Sequence, residues 1–346
     1  MPARDIIVIG TSTGGIEATK VLVGALPRDL QASLFIVLHI GANGLGLLPE
    51  ILEQAGCLPA SNAKNGEVFE PGHIYVAPPD HHLLLEQPCQ LRVTRGPKEN
   101  RFRPAVDPLF RSAAYTFGPR VIGVILTGEL DDGTAGLRSI KARGGIAIVQ
   151  DPSEALAPSM PLSALRHVAV DYSMRLEEVA PLLVKLSRVR LEEKRAIPLP
   201  KQVKTEVNIA KEANAVDSGI MDWGEPSYYA CPECHGVLLQ LKEETNLRFR
   251  CHTGHAYSME SLLAEFNERI EENLWSAMRS LEETVLLMRH MAAHFSENNC
   301  DAAAEQLLRK AKEAEQRSES IRQTVMGREI ATLNQPKKIT KKDVDL

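Results

Sequence analysis

The stretch DIIVIGTSTGGIEATKVL, residues 5–22, indicates how the first half of this chain folds. Residues 5–9 form an apolar, β-branched run of strand length, and residues 16–26 have the apolar spacing of a helix. A second strand-like run follows at residues 34–39. Strands that alternate with helices in this way predict a parallel sheet with crossover helices. We therefore expect a doubly wound, mostly parallel α/β domain over residues 1–190.

Later segments of the same domain continue this alternation. Apolar runs at residues 121–126 and 146–149 flank a helical segment at residues 134–143, which extends the predicted sheet. Three shorter apolar runs predict a hairpin insertion: residues 74–76, 83–85 and 91–94.

The second half of the sequence divides into smaller parts. Prolines in a charged stretch predict a linker at residues 191–226, and a cysteine-bearing stretch predicts a small zinc-ribbon-like module at residues 227–258. Apolar residues then recur in steps of three and four on both sides of a polar turn, which predicts an antiparallel helical hairpin at residues 259–333. The lysine-rich residues 334–346 are expected to form a flexible tail.

Composition narrows the class of protein. The chain has 346 residues, of which 44% are hydrophobic and 25% charged, which is the balance of a globular protein. Its formal net charge is −5, so the chain lacks the excess of basic residues that would predict nucleic-acid binding. No apolar run approaches the roughly 20 residues that a bilayer span needs, and the N-terminus lacks the pattern of a signal peptide. We therefore expect a cytoplasmic protein without membrane insertion, and the sequence indicates no oligomeric state.

Ser12 lies in the segment GTSTGG, residues 10–15, between the first predicted strand and the first predicted helix. In a Gly-x-Ser-x-Gly pattern the small neighbours of the serine permit a tight turn, and helix amides behind it can stabilise an oxyanion. The same glycines could instead bring backbone amides to a phosphate in a nucleotide-binding loop. The glycines do not follow Gly-x-Gly-x-x-Gly, and no Gly-Lys-Ser/Thr follows, so a nucleophilic serine is the favoured interpretation.

A nucleophilic serine needs a base, and the carboxyl ends of neighbouring parallel strands are where a base can reach it. His39 ends the second predicted strand, where it could be that base or an ordinary hydrogen-bonded histidine. An acidic turn with Asp131 and Asp132 follows the strand at residues 121–126. Either aspartate could orient the imidazole, and either could cap the helix that follows.

A second candidate site lies in the cysteine-bearing module. Four residues have the spacing C-x2-C, then, after 16 residues, C-x3-H: Cys231, Cys234, Cys251 and His255. Two such pairs suit a tetrahedral Zn²⁺ ion. His252 is the alternative fourth ligand, and the turn at Gly254 favours His255. Four protein ligands leave no open position on the metal, so the zinc is expected to be structural and not catalytic.

The segments of the first domain resemble the catalytic domain of the CheB-type protein-glutamate methylesterases, which demethylate and deamidate bacterial chemotaxis receptors. The resemblance covers roughly residues 4–190. Separate motifs in the same order carry it: GTSTGG at residues 10–15, His39, VAPPDHHL at 76–83, RPAVD at 103–107, Asp132-Gly133 and PSMP at 158–161.

The resemblance implies a catalytic triad, and by motif match its members are Ser12, His39 and Asp132. It implies hydrolysis of a glutamate methyl ester, or deamidation of a glutamine, in a methyl-accepting chemotaxis-type receptor or a related signalling protein. It implies no cofactor for this catalysis. Glu129 stands where the family usually has methionine, at a position whose backbone amide helps to bind the oxyanion. A carboxylate there would oppose the oxyanion unless it points away.

The usual chemotaxis enzymes of this family carry a receiver domain ahead of the esterase, whereas this sequence begins at the esterase. We therefore expect a stand-alone catalytic domain that is not regulated through a receiver aspartate of its own. The helical hairpin is the expected regulatory or docking element, and deletion after Arg190 should change activity or targeting without destroying the first domain's fold. The alternative function is that of a noncatalytic signalling protein that uses its zinc module and hairpin to bind a partner.

Overall fold

The computed structural model describes residues 3–191, 198, 200–241 and 247–327. The chain divides into two compact units, residues 1–262 and residues 263–346. The predicted flexible tail, residues 334–346, lies outside the described residues. Among the helices that the structure describes, none is long and apolar enough to cross a bilayer.

A seven-stranded sheet with helices on both faces forms the larger part of the first unit. Its strands and those of a small hairpin are β1 (Ile6–Thr11), β2 (Ser33–Leu38), β3 (Ala60–Asn62), β4 (Ile74–Val76), β5 (His82–Glu86), β6 (Gln90–Thr94), β7 (Val121–Ile125), β8 (Ile146–Gln150) and β9 (Tyr172–Met174). The helices are α1 (Gly15–Gly24), α2 (Leu48–Ala55), α3 (Val106–Phe117), α4 (Thr134–Ala142), α5 (Ser159–His167) and α6 (Leu176–Ser187). The sheet order is β3-β4-β2-β1-β7-β8-β9, and every pair in it is parallel.

Side chains of β1 alternate between two apolar cores. Ile6 and Val8 pack with residues of α3, α4 and α5, whereas Ile7 and Ile9 pack with residues of α1, α2 and α6. Helices thus cover both faces of the sheet, which is why its strands read as continuous apolar runs. The predicted doubly wound α/β fold is confirmed.

The predicted hairpin insertion is only partly correct. β5 and β6 do pair antiparallel, but residues 74–76 form β4, which lies in the main sheet between β2 and β3. Ile74 and Val76 enter one core and Tyr75 enters the other, so this short run is buried on both faces. Three residues are too few for hydrophobic periodicity to distinguish a sheet strand from a hairpin strand.

The cysteine-bearing part of the chain forms a second, four-stranded sheet in the same compact unit. Its strands are antiparallel in chain order: β10 (Gly224–Ala230), β11 (Val237–Leu241), β12 (Arg248–Cys251) and β13 (Ala256–Ser258).

The predicted linker, residues 191–226, is instead partly helical. It contains α7 (Lys201–Ala210) and a short 3₁₀ helix at Ile220–Asp222. Val203 and Val207 are buried on one face of α7 because they are four residues apart, one helical turn. Glu206 is buried as well, and Arg248 and Arg250 neutralise it.

Buried charges join α7 and the small sheet to the α/β part of the unit. Arg250 Nη2 lies 3.0 Å from Glu99 Oε1 and 2.9 Å from Glu206 Oε1, and Arg111 also pairs with Glu99. These side chains are at most 5% exposed. Removing one partner would leave an uncompensated buried charge, so the two parts depend on each other for stability.

The second unit is the predicted helical hairpin. It is built from α8 (Met259–Glu297), whose first turn belongs to the first unit, and α9 (Asp301–Met326). Val285 of α8 is buried with Ala311 and Ala314 of α9, and Arg289 pairs with Glu315 at 2.9 Å. The small alanine side chains allow the two helices to approach closely.

Candidate active site

Ser12 lies at the carboxyl end of β1, on a tight turn into α1. Its backbone N–H donates to Thr127 O at 3.0 Å, and the N–H of Gly15 donates to Ser12 O at 2.8 Å. Gly14, the residue before α1, has φ +79°, which favours glycine. A Cβ atom at Gly128 would lie 2.9 Å from the Cβ of Ser12, so the strand-end loop after β7 can approach the serine only because it carries glycine there.

His39 lies at the carboxyl end of β2, the strand next to β1. Its backbone N–H donates to Thr11 O at 3.2 Å, so it is adjacent to Ser12 in the parallel register. The imidazole is 2% exposed, and the ring of Phe102 stacks on it with 3.8 Å between ring centroids. Its Nε2 lies 2.7 Å from Asp132 Oδ2.

Asp132 is buried among hydrogen-bond donors. Oδ2 accepts from His39 Nε2 and from Val106 N at 2.6 Å. Oδ1 accepts from Gly133 N at 2.9 Å, Asn100 Nδ2 at 3.0 Å and Asp107 N at 3.2 Å. Burial raises the pKa of Asp132, but the hydrogen bonds, led by that from His39, outweigh burial and lower the net pKa below its ordinary value.

This environment determines which nitrogen of His39 can act as a base. Because Asp132 is ionised it only accepts hydrogen bonds, so His39 Nε2 carries a proton and donates it. Nδ1 of a neutral imidazole then has the free lone pair, and in the described residues it is buried without a hydrogen-bond partner. Ser12 Oγ therefore makes no hydrogen bond with it in this conformation. The structure brings His39 and Asp132 into contact, and it places Ser12 at the adjacent strand end without a hydrogen bond to the imidazole.

Three backbone amides near Ser12 are available to an oxyanion. In the described part of the chain, the N–H groups of Thr13, Gly14 and Glu129 donate to no protein atom. The carboxylate of Glu129 is exposed and accepts a hydrogen bond from Ser159 Oγ at 3.3 Å. Because this bond keeps the carboxylate at the surface, the expected electrostatic conflict with an oxyanion is reduced.

Comparison with known proteins identifies the α/β part. The family model of the CheB methylesterase matches residues 7–183, more than half of the chain. The chain belongs to the CheB methylesterase family. A protein of Leptospira interrogans is 40% identical over 190 residues, which are 55% of this chain and 98% of that protein.

Two further relatives of the CheB family agree with this assignment. The protein-glutamate methylesterase/protein-glutamine glutaminase of Moorella thermoacetica is 37% identical over 54% of this chain and 45% of that protein. The crystal structure of the Thermotoga maritima CheB methylesterase catalytic domain is 32% identical, with a TM-score of 0.51 over 53% of this chain and 98% of that chain. The family match ends at residue 183, so the small sheet and the helical hairpin lie beyond it.

Several polar residues near the CheB motifs have structural partners. Arg103 donates to Asp80 Oδ1 through Nε at 2.9 Å and Nη2 at 2.7 Å. His82 is buried and lies 3.0 Å from Pro97 O, and Asp107 accepts from Gly136 N at 2.6 Å. These hydrogen bonds give Arg103, His82 and Asp107 structural roles. The candidate catalytic residues are therefore those at the strand ends: Ser12, His39 and Asp132.

Two residues beside the predicted triad were not predicted from the sequence. Phe102 covers the imidazole of His39, and Asn100 donates to Asp132. Both lie in a turn without regular periodicity, so no pattern in the sequence marks them. Asn100 is 158 and 161 residues from the two serines that it contacts, Ser258 and Ser261, and only the fold reveals these contacts.

The Cys/His cluster beyond the CheB domain is assembled from two turns of the small sheet. Its four ligand atoms lie within 4.8 Å of one another: Cys231, Cys234, Cys251 and His255. Cys234 Sγ is 3.6 Å from Cys251 Sγ, and His255 Nδ1 is 3.5 Å from Cys251 Sγ. Tetrahedral zinc with bonds of about 2.3 Å to sulfur and about 2.1 Å to nitrogen would separate these atoms by about the same distances. His252, the alternative ligand, is not part of the cluster.

Proposed function

We propose that this chain is a protein-glutamate methylesterase and protein-glutamine deamidase that acts through Ser12, His39 and Asp132. The observation that carries the proposal is the buried contact between His39, after β2, and Asp132, after β7, because these two strands flank the strand β1 that ends at Ser12. The contact lies within a domain of the CheB methylesterase family. The homologue from Moorella thermoacetica bears the name of both activities, which supports the same chemistry here.

The first half of the reaction is acyl transfer. Ser12 Oγ attacks the side-chain carbonyl carbon of the methyl ester, and His39 Nδ1 takes the hydroxyl proton. Asp132 accepts the Nε2–H bond and stabilises the imidazolium that forms. The amides of Thr13, Gly14 and Glu129 are the candidate donors to the oxyanion. His39 then gives its proton to the leaving oxygen, and methanol departs; from a glutamine, ammonia departs instead.

The second half of the reaction is hydrolysis of the acyl-enzyme. His39 Nδ1 takes a proton from water, and the resulting hydroxide attacks the acyl carbon. The bond to Ser12 Oγ breaks, the serine regains its proton from His39, and a glutamate side chain is released. No step requires a cofactor.

The proposed substrate is a methyl-accepting chemotaxis-type receptor or a related signalling protein, as the names of the relatives suggest. The proposed location is the cytoplasm. The six cysteines, all within the described part of the chain, form no disulfide with one another, which supports a reducing compartment.

We also propose that Cys231, Cys234, Cys251 and His255 hold a structural Zn²⁺ ion. The donor set and the distances within the cluster support this metal. Four protein donors close the coordination sphere, so the ion would stabilise the small sheet and take no part in ester hydrolysis.

Methanol release from membranes that contain methylated receptors tests the esterase proposal. The native chain should release methanol, and Ser12→Ala should lower the rate at least about a thousandfold, because removing the nucleophile of a triad costs that much or more.

Ser173→Ala is the matched control, because Ser173 is an exposed serine on β9 at the edge of the same sheet. It should retain the native rate. Equal methanol release by the native chain and Ser12→Ala would contradict the proposal and favour a noncatalytic signalling role.

A further inference from the structure

The turn before α3 places Asn100 beside the catalytic acid. The N–H of Glu99 donates to Phe102 O at 3.2 Å, and the N–H of Phe102 donates back to Glu99 O at 2.9 Å. Between them, Asn100 and Arg101 have φ values of +49° and +77°. Two successive non-glycine residues in the left-handed region cost free energy, so neighbouring groups must hold this turn in place.

The side-chain amide of Asn100 uses all of its hydrogen-bonding groups. Its NH₂ donates to Asp132 Oδ1 at 3.0 Å and to Asp107 Oδ2 at 3.1 Å. Its oxygen accepts from Ser258 N at 3.0 Å and from Ser261 Oγ at 3.2 Å. The residue is 5% exposed, so water does not replace these partners. Because the Asp132 carboxylate can only accept, the NH₂ group must face it.

Ser258 and Ser261 come from the end of β13 and the first turn of α8. They cap the helix reciprocally, since Ser261 N donates to Ser258 Oγ at 3.0 Å and Ser258 N lies 2.9 Å from Ser261 Oγ. Ser258 Oγ also donates to Asp131 Oδ1 at 2.7 Å. The same two serines thus cap α8 and hold the loops that carry Asn100 and Asp132.

The backbone of β13 reaches the same turn. The N–H of Asn100 donates to Ala256 O at 2.8 Å, and the N–H of Ala256 donates to Lys98 O at 3.2 Å. Backbone hydrogen bonds therefore connect the small sheet directly to the turn that carries Asn100. In each of these contacts one partner lies within the CheB family match and the other, in β13 or α8, lies beyond its end at residue 183.

We propose that Asn100 is a positioning residue for Asp132, and that the small sheet holds Asn100 in place through Ser258 and Ser261. The inference rests on the proposed esterase function, because it concerns the support of the same triad. Asn100 supplies one of three N–H donors to Asp132 Oδ1. Without that donor the carboxylate has a less defined orientation toward His39, and the imidazole in turn is held less well against Ser12.

Ser12 labelling by a fluorophosphonate tests this inference on the full-length chain without a receptor substrate. In that reaction the Oγ–P bond forms, fluoride leaves and His39 takes the hydroxyl proton. Asn100→Ala should slow labelling about tenfold to a hundredfold, the range for losing one hydrogen bond to a charged group. Ser261→Ala should slow it about threefold to tenfold, because Asn100 keeps its bond from Ser258 N.

The pH profile separates positioning from a general loss of stability. The hydrogen bond from Asn100 lowers the pKa of Asp132, so removing this donor should raise that pKa and move the acidic limb of the labelling rate to higher pH. Exchange of the Val106 and Gly133 amide hydrogens, which bond to Asp132, should become faster in both variants. Asn298→Ala and Ser280→Ala, exposed positions on the helical hairpin, are the matched controls and should behave as the native chain.

Two outcomes would overturn the inference. One is a folded Asn100→Ala protein with the native labelling rate and pH profile. The other is Ser261→Ala with native exchange at Val106 and Gly133. If the native chain is not labelled at Ser12, the esterase proposal fails, and the exchange measurement by itself then decides whether Asn100 and the small sheet position Asp132.

Discussion

Asp131 and Asp132 are adjacent in the sequence and both are buried, yet their surroundings move their pKa values in opposite directions. Asp132 receives five hydrogen bonds, which keep its pKa low despite burial. Burial raises the pKa of Asp131 to about 8; the bond from Ser258 opposes this rise, and the nearby carboxylates of Glu260, Asp107 and Asp132 add to it. The number of donors, and not burial itself, therefore decides that Asp132, the aspartate of the proposed triad, is the one that is ionised.

Asp131→Asn should change how stability depends on pH. In the native chain the folded state keeps the Asp131 proton up to about pH 8, whereas the unfolded state loses it near pH 4. Between these values the unfolded state binds fewer protons, so native stability falls as pH rises, by at most about 1.4 kcal/mol per pH unit from this group. Asp131→Asn has no carboxyl group to titrate here, so it lacks this loss of stability. The difference in free energy of unfolding, variant minus native, should therefore rise from pH 4 to 8.

Denaturant unfolding at several pH values measures this difference. Asp29→Asn, at an exposed position, is the matched control and should follow the native pH dependence. Parallel curves for the native chain and Asp131→Asn would show that Asp131 is ionised in the folded protein.

At the scale of elements, the strand β13 has two roles because of its position. It begins directly after His255, and its far end carries Ser258, which contacts both Asp131 and Asn100. The N–H of Cys251 donates to His255 O at 3.0 Å, which closes the turn between β12 and β13. A metal ion on that turn would therefore stabilise β13. This strand carries Ser258, which holds the Asn100 side chain that donates to Asp132.

Cys231→Ser should remove the proposed zinc and loosen the small sheet. Metal analysis of the native chain should find about one zinc per chain, and the variant should hold much less. Amide exchange in β12 and β13 should become faster in the variant, because the ion contributes to the folding of a small module.

Cys57→Ser, which lies outside the cluster, should keep both the zinc content and the native exchange rates. A variant Cys231→Ser with full zinc content would exclude the proposed ligand set.

At the scale of the whole molecule, the catalytic part of the chain does not end with the parallel sheet. The first compact unit runs to residue 262 and includes α7 and the small sheet. Glu99 and Arg111, both buried, depend on Arg250 and Glu206 from that added part. The expectation that deletion after Arg190 leaves the first domain intact is therefore revised.

Truncation after Leu262 and truncation after Arg190 should behave differently. The first keeps Asn100, Ser258, Ser261 and the buried charge pairs but only four residues of α8. Its thermal midpoint for the first unit and its Ser12 labelling should therefore lie much closer to those of the full-length chain than the second's do. The second leaves buried charges without partners, at a cost of about 3–5 kcal/mol for each broken pair, and should unfold at a clearly lower temperature or aggregate. Calorimetry and labelling of the two truncated chains check this, and identical behaviour would contradict it.

The sequence by itself determined the parallel α/β fold, because strands buried on both faces must be continuously apolar and the helices between them must be amphipathic. It also placed Ser12, His39 and Asp132 at strand ends, where parallel strands converge, and the cysteine spacing led to the Cys/His cluster. Local patterns of this kind are carried by residues close together in the chain.

Only the tertiary structure decided how these parts are connected. It assigned residues 74–76 to the main sheet and a helix to residues 201–210, because burial on particular faces, and not periodicity, determines both. It also placed Asn100 between Asp132 and Ser258. Asn100 and Ser258 are 158 residues apart, and a hydrogen bond between such distant residues leaves no periodic signal in the sequence. The residues of the proposed triad can thus be identified in the sequence, whereas the contacts that hold them in position form only when the chain folds.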